Sequence, residues 1–287
     1  MKRRLFIDRH LMQRIGFTGI TLVAFLTVIP IIATVVYIVA KGAPAISWEF
    51  LFTFPSDGMK DGGIWPAIVG TFYLTIGTAI FSVPLGIAAA IYLSEYASDT
   101  PFTRTIRIAI INLAGIPSVV YGLFGLGLFV LFMQFGTSIL AASLTLAIMT
   151  LPVIISTAEE ALRSVPQSFR TVSISLGATR WQTIRRIVLK EALPGILTGV
   201  ILGLERAAGE TAPILFTGAV FFVPQLPQSI FDPTMALPYH LFVTSTQIPG
   251  MPVDMQYGTA LVLLMFVLTM NLIATVIRSR ARAKRQW

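Results

Sequence analysis

The sequence predicts an all-α, polytopic membrane protein with about six transmembrane helices and both termini in the cytoplasm. Three observations carry this. Of 287 residues, 55% are hydrophobic and only 12% are charged. That is about half the charge of an average soluble domain, too little to cover a soluble globule. Six stretches reach the roughly 20 mostly apolar residues that cross a bilayer as a helix. Eighteen of the 21 Lys and Arg residues fall on one side of those stretches, the side that faces the cytoplasm. The net charge of +8 is therefore a topology signal, and a nucleic-acid partner loses its basis. With no cysteine in the chain, disulfides, thiol chemistry and a cysteine-ligated zinc site are excluded. Two regions follow: residues 1–62, with the basic N-terminus, the first span and an external loop, and residues 63–287, the main transmembrane domain.

The first span, about Ile15–Ala40, follows Lys2, Arg3, Arg4, Arg9 and Arg14. Its apolar run exceeds the roughly 7–15-residue core of a cleaved signal, so it reads as a retained helix. The second span is about Ile64–Leu93. Arg104 and Arg107 separate it from the third, about Ile108–Met133. In the third, Asn112, Pro117, Ser118 and Tyr121 form a polar, kink-prone stripe. Its donors either reach a solute or hydrogen-bond between helices. The fourth span is about Thr137–Ser156, and Glu159 and Glu160 just beyond it read as solvated charges. In the fifth, about Gly195–Phe222, Gly195, Gly199 and Gly203 recur at the spacing that lets a neighbouring helix approach closely. The sixth, about Tyr257–Ile277, precedes Arg278, Arg280, Arg282, Lys284 and Arg285. An external segment, Pro224–Gln256, holds six prolines and no Lys or Arg. It is too apolar for a solvated linker and is expected to pack on the membrane face or a partner. His10 and His240 are isolated, so no metal site is supported.

The cytoplasmic connection at about 157–193 is too polar to span. Phe169, Val172, Ile174 and Leu176 suit a short helix stopped at Gly177, which adopts a left-handed backbone at little cost. A second helix starts at Trp181 and leads into the fifth span. Such a helix–Gly–helix offers an apolar knob to something cytoplasmic.

This loop resembles the signature loop of ABC-importer permeases, in which Glu-Ala-Ala, three residues, Gly, nine residues and Ile-x-Leu-Pro form the coupling helix and its exit. Gly177, Ile187 and Leu189 match that spacing. Thr171, Val172 and Ser173 stand in place of Glu-Ala-Ala, and Lys190 in place of Pro. The stretches Leu113–Leu126 and Glu205–Phe222 are similar to the phosphate-specific ABC permeases, and more to the PstA-like subunit than to its PstC-like partner. The resemblance implies a type I ABC-importer permease core in the bacterial inner membrane that translocates inorganic phosphate. It implies as partners a second permease subunit, two ATPase subunits and an external phosphate-binding protein. Phe169, Arg170, Ser175, Leu176, Gly177 and Ala178 become the candidate contact with the ATPase.

Glu205, Arg206 and Glu210 lie in an otherwise apolar segment. If the span enters near Gly195, Arg206 is roughly 16 Å deep in a core about 30 Å thick. A charge there costs at least about 2.5–3.5 kcal/mol and faces a protein interior or an aqueous cavity. Arg206 and Glu210 are four apart and can pair on one face, with Glu205 about 100° away. Guanidinium suits phosphate oxygens and stays charged when partly desolvated. One reading places Arg206, Glu210, Glu205 and Ser118 on an anion pathway; the other makes Arg206 and Glu210 an ion pair that locks helices together. Thr211 and Thr217 are weaker donor candidates, and Pro213 is expected to kink or break the helix.

No G-x-x-x-x-G-K-[ST] loop occurs, so the chain needs no cofactor of its own and ATP with Mg belongs to a partner ATPase. No repeat suggests the two halves of a secondary carrier. Another oxyanion, such as sulfate or molybdate, and a secondary anion carrier using Arg206 and Glu210 stay open as alternatives. No nucleophile or metal constellation supports an enzyme.

Overall fold

A computed structural model describes the backbone of residues 9–283. Lys2, Arg3, Arg4, Lys284 and Arg285, used above for orientation, lie outside the described residues, as do the side chains of Arg9, His10 and Arg282. The chain begins with α1, Arg9–Gly42. A short external helix, α2 (Trp48–Phe52), is capped by Ser47, whose Oγ accepts from the Phe50 amide at 3.0 Å. A two-residue hairpin, β1 (Pro55–Ser56) and β2 (Asp61–Gly62), precedes α3, Trp65–Ile91. α3 runs on through a π-helical turn, Tyr92–Tyr96. α4 (Pro101–Ala114) and α5 (Ser118–Gly125, continued by a π-helical stretch Leu126–Phe132) follow. α6 is Ile139–Arg163 and α7 Gln167–Ser175. α8 (Arg180–Thr183) passes through the π-turn Ile184–Val188 into α9, Leu189–Gly209. α10 (Ala212–Thr217), α11 (Leu237–Thr246) and α12 (Val253–Ala283) complete the fold. Five helical stretches among the described residues are long and apolar enough to cross a membrane, six if α4 and α5 are one broken span.

α6 is the most buried of these spans and forms the axis on which α3 and α9 pack. Small residues make the close approach possible. Gly77 of α3 lies against Ser143, and Gly86 against Ile154. On the other side Gly195, Gly199 and Gly203 of α9 lie against Ala161, Thr157 and Ile154. The close-packing stripe expected in the fifth span is thus the α6–α9 seam. Thr71, Thr75, Thr78 and Ser82 face the interior from α3, and each hydroxyl donates to the carbonyl four residues back at 2.7–2.8 Å. These four side chains satisfy their own donors on the helix backbone, as an apolar surround requires. α1 is peripheral: none of its spanning window is buried, and it packs along α12, with the Tyr37 and Tyr257 rings edge to face at 5.4 Å.

The third span, read as kink-prone, breaks outright: α4 and α5 meet at 102° across Gly115–Pro117. Pro117 has no amide hydrogen to donate and cannot continue α4. The fifth span is a continuous helix from Arg180 to Gly209 rather than Gly195–Phe222. The cytoplasmic connection that leaves both spans is accordingly short, residues 164–179, since α6 extends to Arg163. Polar residues prolong both helices beyond the apolar core of the bilayer, which hydropathy alone cuts short.

The external segment packs on its own chain. The Ser138, Ile139 and Leu140 amides at the start of α6 donate to the carbonyls of Thr217, Asp232 and Ile230 at 2.9–3.0 Å. The Leu237 amide donates to Thr71 Oγ1 at 2.8 Å, and the Met235 carbonyl rests directly on Gly70. Met235, Ala236 and Leu237 are buried, so this segment caps α3 and α6 from outside. His240 of α11 is 3% exposed, its Nδ1 has no hydrogen-bond partner among the described residues, and burial pushes its pKa down to about 4.

Replacing Gly199 by Leu at the α6–α9 seam is expected to cost about 1–3 kcal/mol through overpacking, read as a lower thermal midpoint in detergent. Gly127→Ala, whose site is open, leaves the midpoint unchanged. His240 supplies a pH test. The unfolded imidazole titrates near 6.5 and the folded one near 4, so its stabilisation is complete above about pH 6.5 and is lost as pH falls toward 4. The thermal midpoint of the wild type should drop between pH 7 and pH 4.5 by more than that of His240→Leu.

Candidate functional site

Two backbone breaks meet inside the membrane domain. α9 ends at Gly209, Glu210 is extended (φ −79°, ψ 133°), and Pro213 opens the new helix α10. Gly203 lies against Thr150 and Ile154 near the middle of α6, which places Arg206, one turn further, within the bilayer's thickness. The second break is the α4–α5 elbow. Its corner is held by Tyr121, whose hydroxyl donates to the Leu113 carbonyl at 2.7 Å. The two breaks abut: a Cβ on Gly122 would come within 2.9 Å of the Ala212 carbonyl. Non-helical backbone at membrane depth is tolerated only where protein buries it or where it lines an aqueous space.

Arg206 and Glu210 pair as their spacing predicts, Nε to Oε1 at 3.3 Å, although Glu210 has left the helix. The side chain of Arg206 is 37% exposed and that of Glu210 19%, so the guanidinium keeps donors free on an open face. Tyr121, one turn beyond the half-buried Ser118, packs in the same buried cluster as Ala207 and Ile214, on either side of the α9–α10 break. Arg206, Glu210 and the Ser118–Tyr121 elbow thereby share one region of the fold. Glu210 also lines a cavity of about 10 Å³ with Thr71, Thr75 and Ile214, room for about one water. Glu205 takes no part in this ion pair: its Oε1 is buried without a hydrogen-bond partner among the described residues. Thr217 donates to the Pro213 carbonyl at 2.9 Å and so serves its own backbone.

The second candidate region is the cytoplasmic knob. α7 ends in a left-handed turn at Gly177 (φ +85°), where the Gly177 and Ala178 amides close onto Ile174 and Ser173 carbonyls at 2.9 and 3.2 Å. Thr179 and Gln182 then form a capping box that starts α8, satisfying two otherwise orphan amides. Ser173 and Thr183 hydroxyls bond across the turn at 2.8 Å. Leu176 is 83% exposed, with Val172, Ile174 and Trp181 also exposed around it. A groove of about 420 Å³ runs between Phe169, Val172, Leu176, Ala178 and Ile187. Ser175 and Gly177 sit at the exposed tip, and Phe169 packs inward against the α6–α9 core.

Arg170 also turns inward. Its guanidinium donates to both carboxylate oxygens of Glu95, at 2.6 and 3.1 Å, and to the Leu162 and Val165 carbonyls at 2.9 and 2.8 Å. Arg180 donates to the Glu95 carbonyl and lies 5.0 Å over the Tyr96 ring. A second network joins α4 to α6. Arg107 meets Glu159 at 2.8 Å and the Leu93 carbonyl at 2.8 Å, and Arg163 meets Glu159 at 2.9 Å. Glu159, read from the sequence as solvated, is 12% exposed, because α4 folds flat against the end of α6 and brings Arg107 over it. Glu160 is exposed. Sequence reasoning did not single out Glu95. The available signal was an acidic residue directly after a span, on the side that carries most of the basic residues.

Residues 82–284 match the family described as the inner membrane component of binding-protein-dependent transport systems. The chain is 34% identical over 252 residues to a probable ABC transporter permease, YqgI, of Bacillus subtilis, covering 83% of this chain and 85% of that one. It is 32% identical to the phosphate transport system permease protein PstA 1 of Mycobacterium tuberculosis, covering 99% and 93%. Among solved structures, a bacterial alginate ABC transporter superposes with a TM-score of 0.68 at 16% identity, covering 94% of this chain and 96% of that one. The inward-facing MetNI methionine ABC transporter gives 0.62 at 18% identity, covering 79% and 99%. The all-α fold with its broken third span and cytoplasmic knob is that of an ABC-importer permease, and the chain belongs to the family of inner-membrane components of binding-protein-dependent transport systems.

Proposed function

We propose that this permease moves inorganic phosphate inward, working with a second, similar permease chain, two ATPase subunits and an external phosphate-binding protein. The observation that carries the reading is Arg206: a half-open guanidinium at membrane depth, beside two backbone breaks and only partly neutralised by Glu210. A bidentate cation recognises tetrahedral oxyanions well. Glu210 tempers that attraction, as a conducting path must bind weakly enough to release. The relatives whose names carry phosphate transport align over nearly the full chain, and that supports phosphate over sulfate or molybdate. The exposed apolar tip around Leu176 supports docking of the Val172–Ala178 end of the knob in a cytoplasmic ATPase, with Phe169 and Arg170 holding it from behind. Closure of the ATPase pair on ATP would push this tip, open the space beside Arg206 outward, and let phosphate leave inward after hydrolysis.

The test is ATP-dependent uptake of labelled phosphate in vesicles holding the complete complex. Arg206→Gln should lower uptake at least tenfold, equivalent to about 1.4 kcal/mol, while assembly and ATP hydrolysis persist. Arg206→Lys should keep an intermediate rate, since it retains the charge and loses the fork. Excess sulfate should not compete. Undiminished uptake in Arg206→Gln would leave the Arg206–Glu210 pair as a helix lock.

A further inference from the structure

We propose that Glu95 is a positioning residue through which movement of the cytoplasmic knob reaches the external cap by way of α3. The inference rests on the knob being the ATPase-facing element. α6 and α9 are continuous with the knob through the chain and follow it directly, whereas α3 meets the knob, among the described residues, through side-chain contacts. Ile87, Ala90 and Ile91 share an apolar cluster with Val165 and Phe169, and the polar part of the junction is concentrated on Glu95. Its carboxylate receives the Arg170 fork at 2.6 and 3.1 Å, and its own carbonyl receives Arg180. Arg170 and Glu95 side chains are 12% and 7% exposed, so water does not screen the pair as it does a surface bridge. Arg170 simultaneously holds the Leu162 and Val165 carbonyls, at the exit of α6. One guanidinium therefore ties the end of α6, the start of α7 and the end of α3.

At its other end α3 carries the external cap. Thr71 Oγ1 accepts from the Leu237 amide at 2.8 Å, and Gly70 supports the Met235 carbonyl. From Trp65 to Ile91 the helix has 27 residues, a rod about 40 Å long. Its hydroxyls bond to its own backbone, so it can slide on α6 without breaking hydrogen bonds to it. The Tyr92–Tyr96 π-turn sets the carboxylate toward Arg170 at the base of this rod. Displacement of the knob then pulls or tilts α3 and loosens the cap over the α9–α10 break.

The experiment uses the complete complex in liposomes, with ATP hydrolysis and phosphate uptake read in the same sample. Glu95→Gln keeps the shape and removes the charge. The ATP consumed per phosphate imported should rise at least fivefold, with hydrolysis itself changed less than twofold; Glu95→Asp should fall between. A second readout needs no transported solute. The chain has no cysteine, so spin labels can be placed at Ser98→Cys, just past the π-turn, and Gln167→Cys, at the start of α7, both exposed. In the wild type their separation should stay constant between nucleotide-free and ATP-trapped complexes; in Glu95→Gln it should broaden or shift. An unchanged ATP-to-phosphate ratio with an unchanged separation overturns the proposal, even if both rates fall together. If Glu95→Gln does not assemble, Glu95→Asp decides by the same two criteria. Failure of the wild type to import phosphate would instead count against the substrate reading, and the label separation would then decide the role of Glu95.

Discussion

Inside hydrocarbon, each backbone amide or carbonyl without a partner costs several kcal/mol, and nearly every feature of this chain follows from that constraint. It forces the spans into helices and turns the hydroxyls of Thr71, Thr75, Thr78 and Ser82 back onto their own carbonyls. It also decides where the helices are allowed to stop. The gap at Gly209–Thr211 and the corner at Gly115–Pro117 belong to helices that meet: α5 and α10 press backbone to backbone at Gly122, and Tyr121 bonds across the corner. Irregular backbone is gathered in one place, and Arg206 stands beside it.

Charge is handled in two distinct ways at two depths. Near the cytoplasmic surface, Glu95 and Glu159 are each held by arginines at 2.6–2.9 Å, and two of these, Arg107 and Arg170, also bind carbonyls at helix ends. Their donors are largely used up, so these groups fix geometry. Within the bilayer, Arg206 has a single carboxylate contact at 3.3 Å and an open side. Spare donors on a cation that stays ionised are what the proposed encounter with an oxyanion would use.

The number of spans and the α6–α9 glycine seam were legible in the sequence because hydropathy and four-residue glycine spacing each report a single physical cause. Arg206 and Glu210 were legible too, since a charge in an apolar segment needs a reason. The 102° elbow was not: Gly115 and Pro117 announce a break but not its direction, which the Tyr121 bond and the α10 contact set. The end of α9 was missed for the same reason, as Gly209 is an ordinary membrane-helix residue until Glu210 becomes extended. Arg170 and Glu95 are 75 residues apart, and nothing local in either segment reports the pairing. Arg170 in isolation reads as an outward-facing contact, whereas its guanidinium faces inward.

The Tyr92–Tyr96 turn has a bearing on how this chain tolerates insertions and deletions. A π-turn holds one residue more than the α-helical turn it replaces. Loss of one residue there other than Glu95 would let the segment relax into regular helix, without leaving a gap or a cavity. Because the wide turn has already absorbed the extra residue, everything beyond would keep its phase about the axis of α3. Such a chain would insert, fold and span as before, with the acidic group still on the side of its arginine. The turn is thus a place where a helix, ordinarily intolerant of length change, accepts a shorter reading of itself.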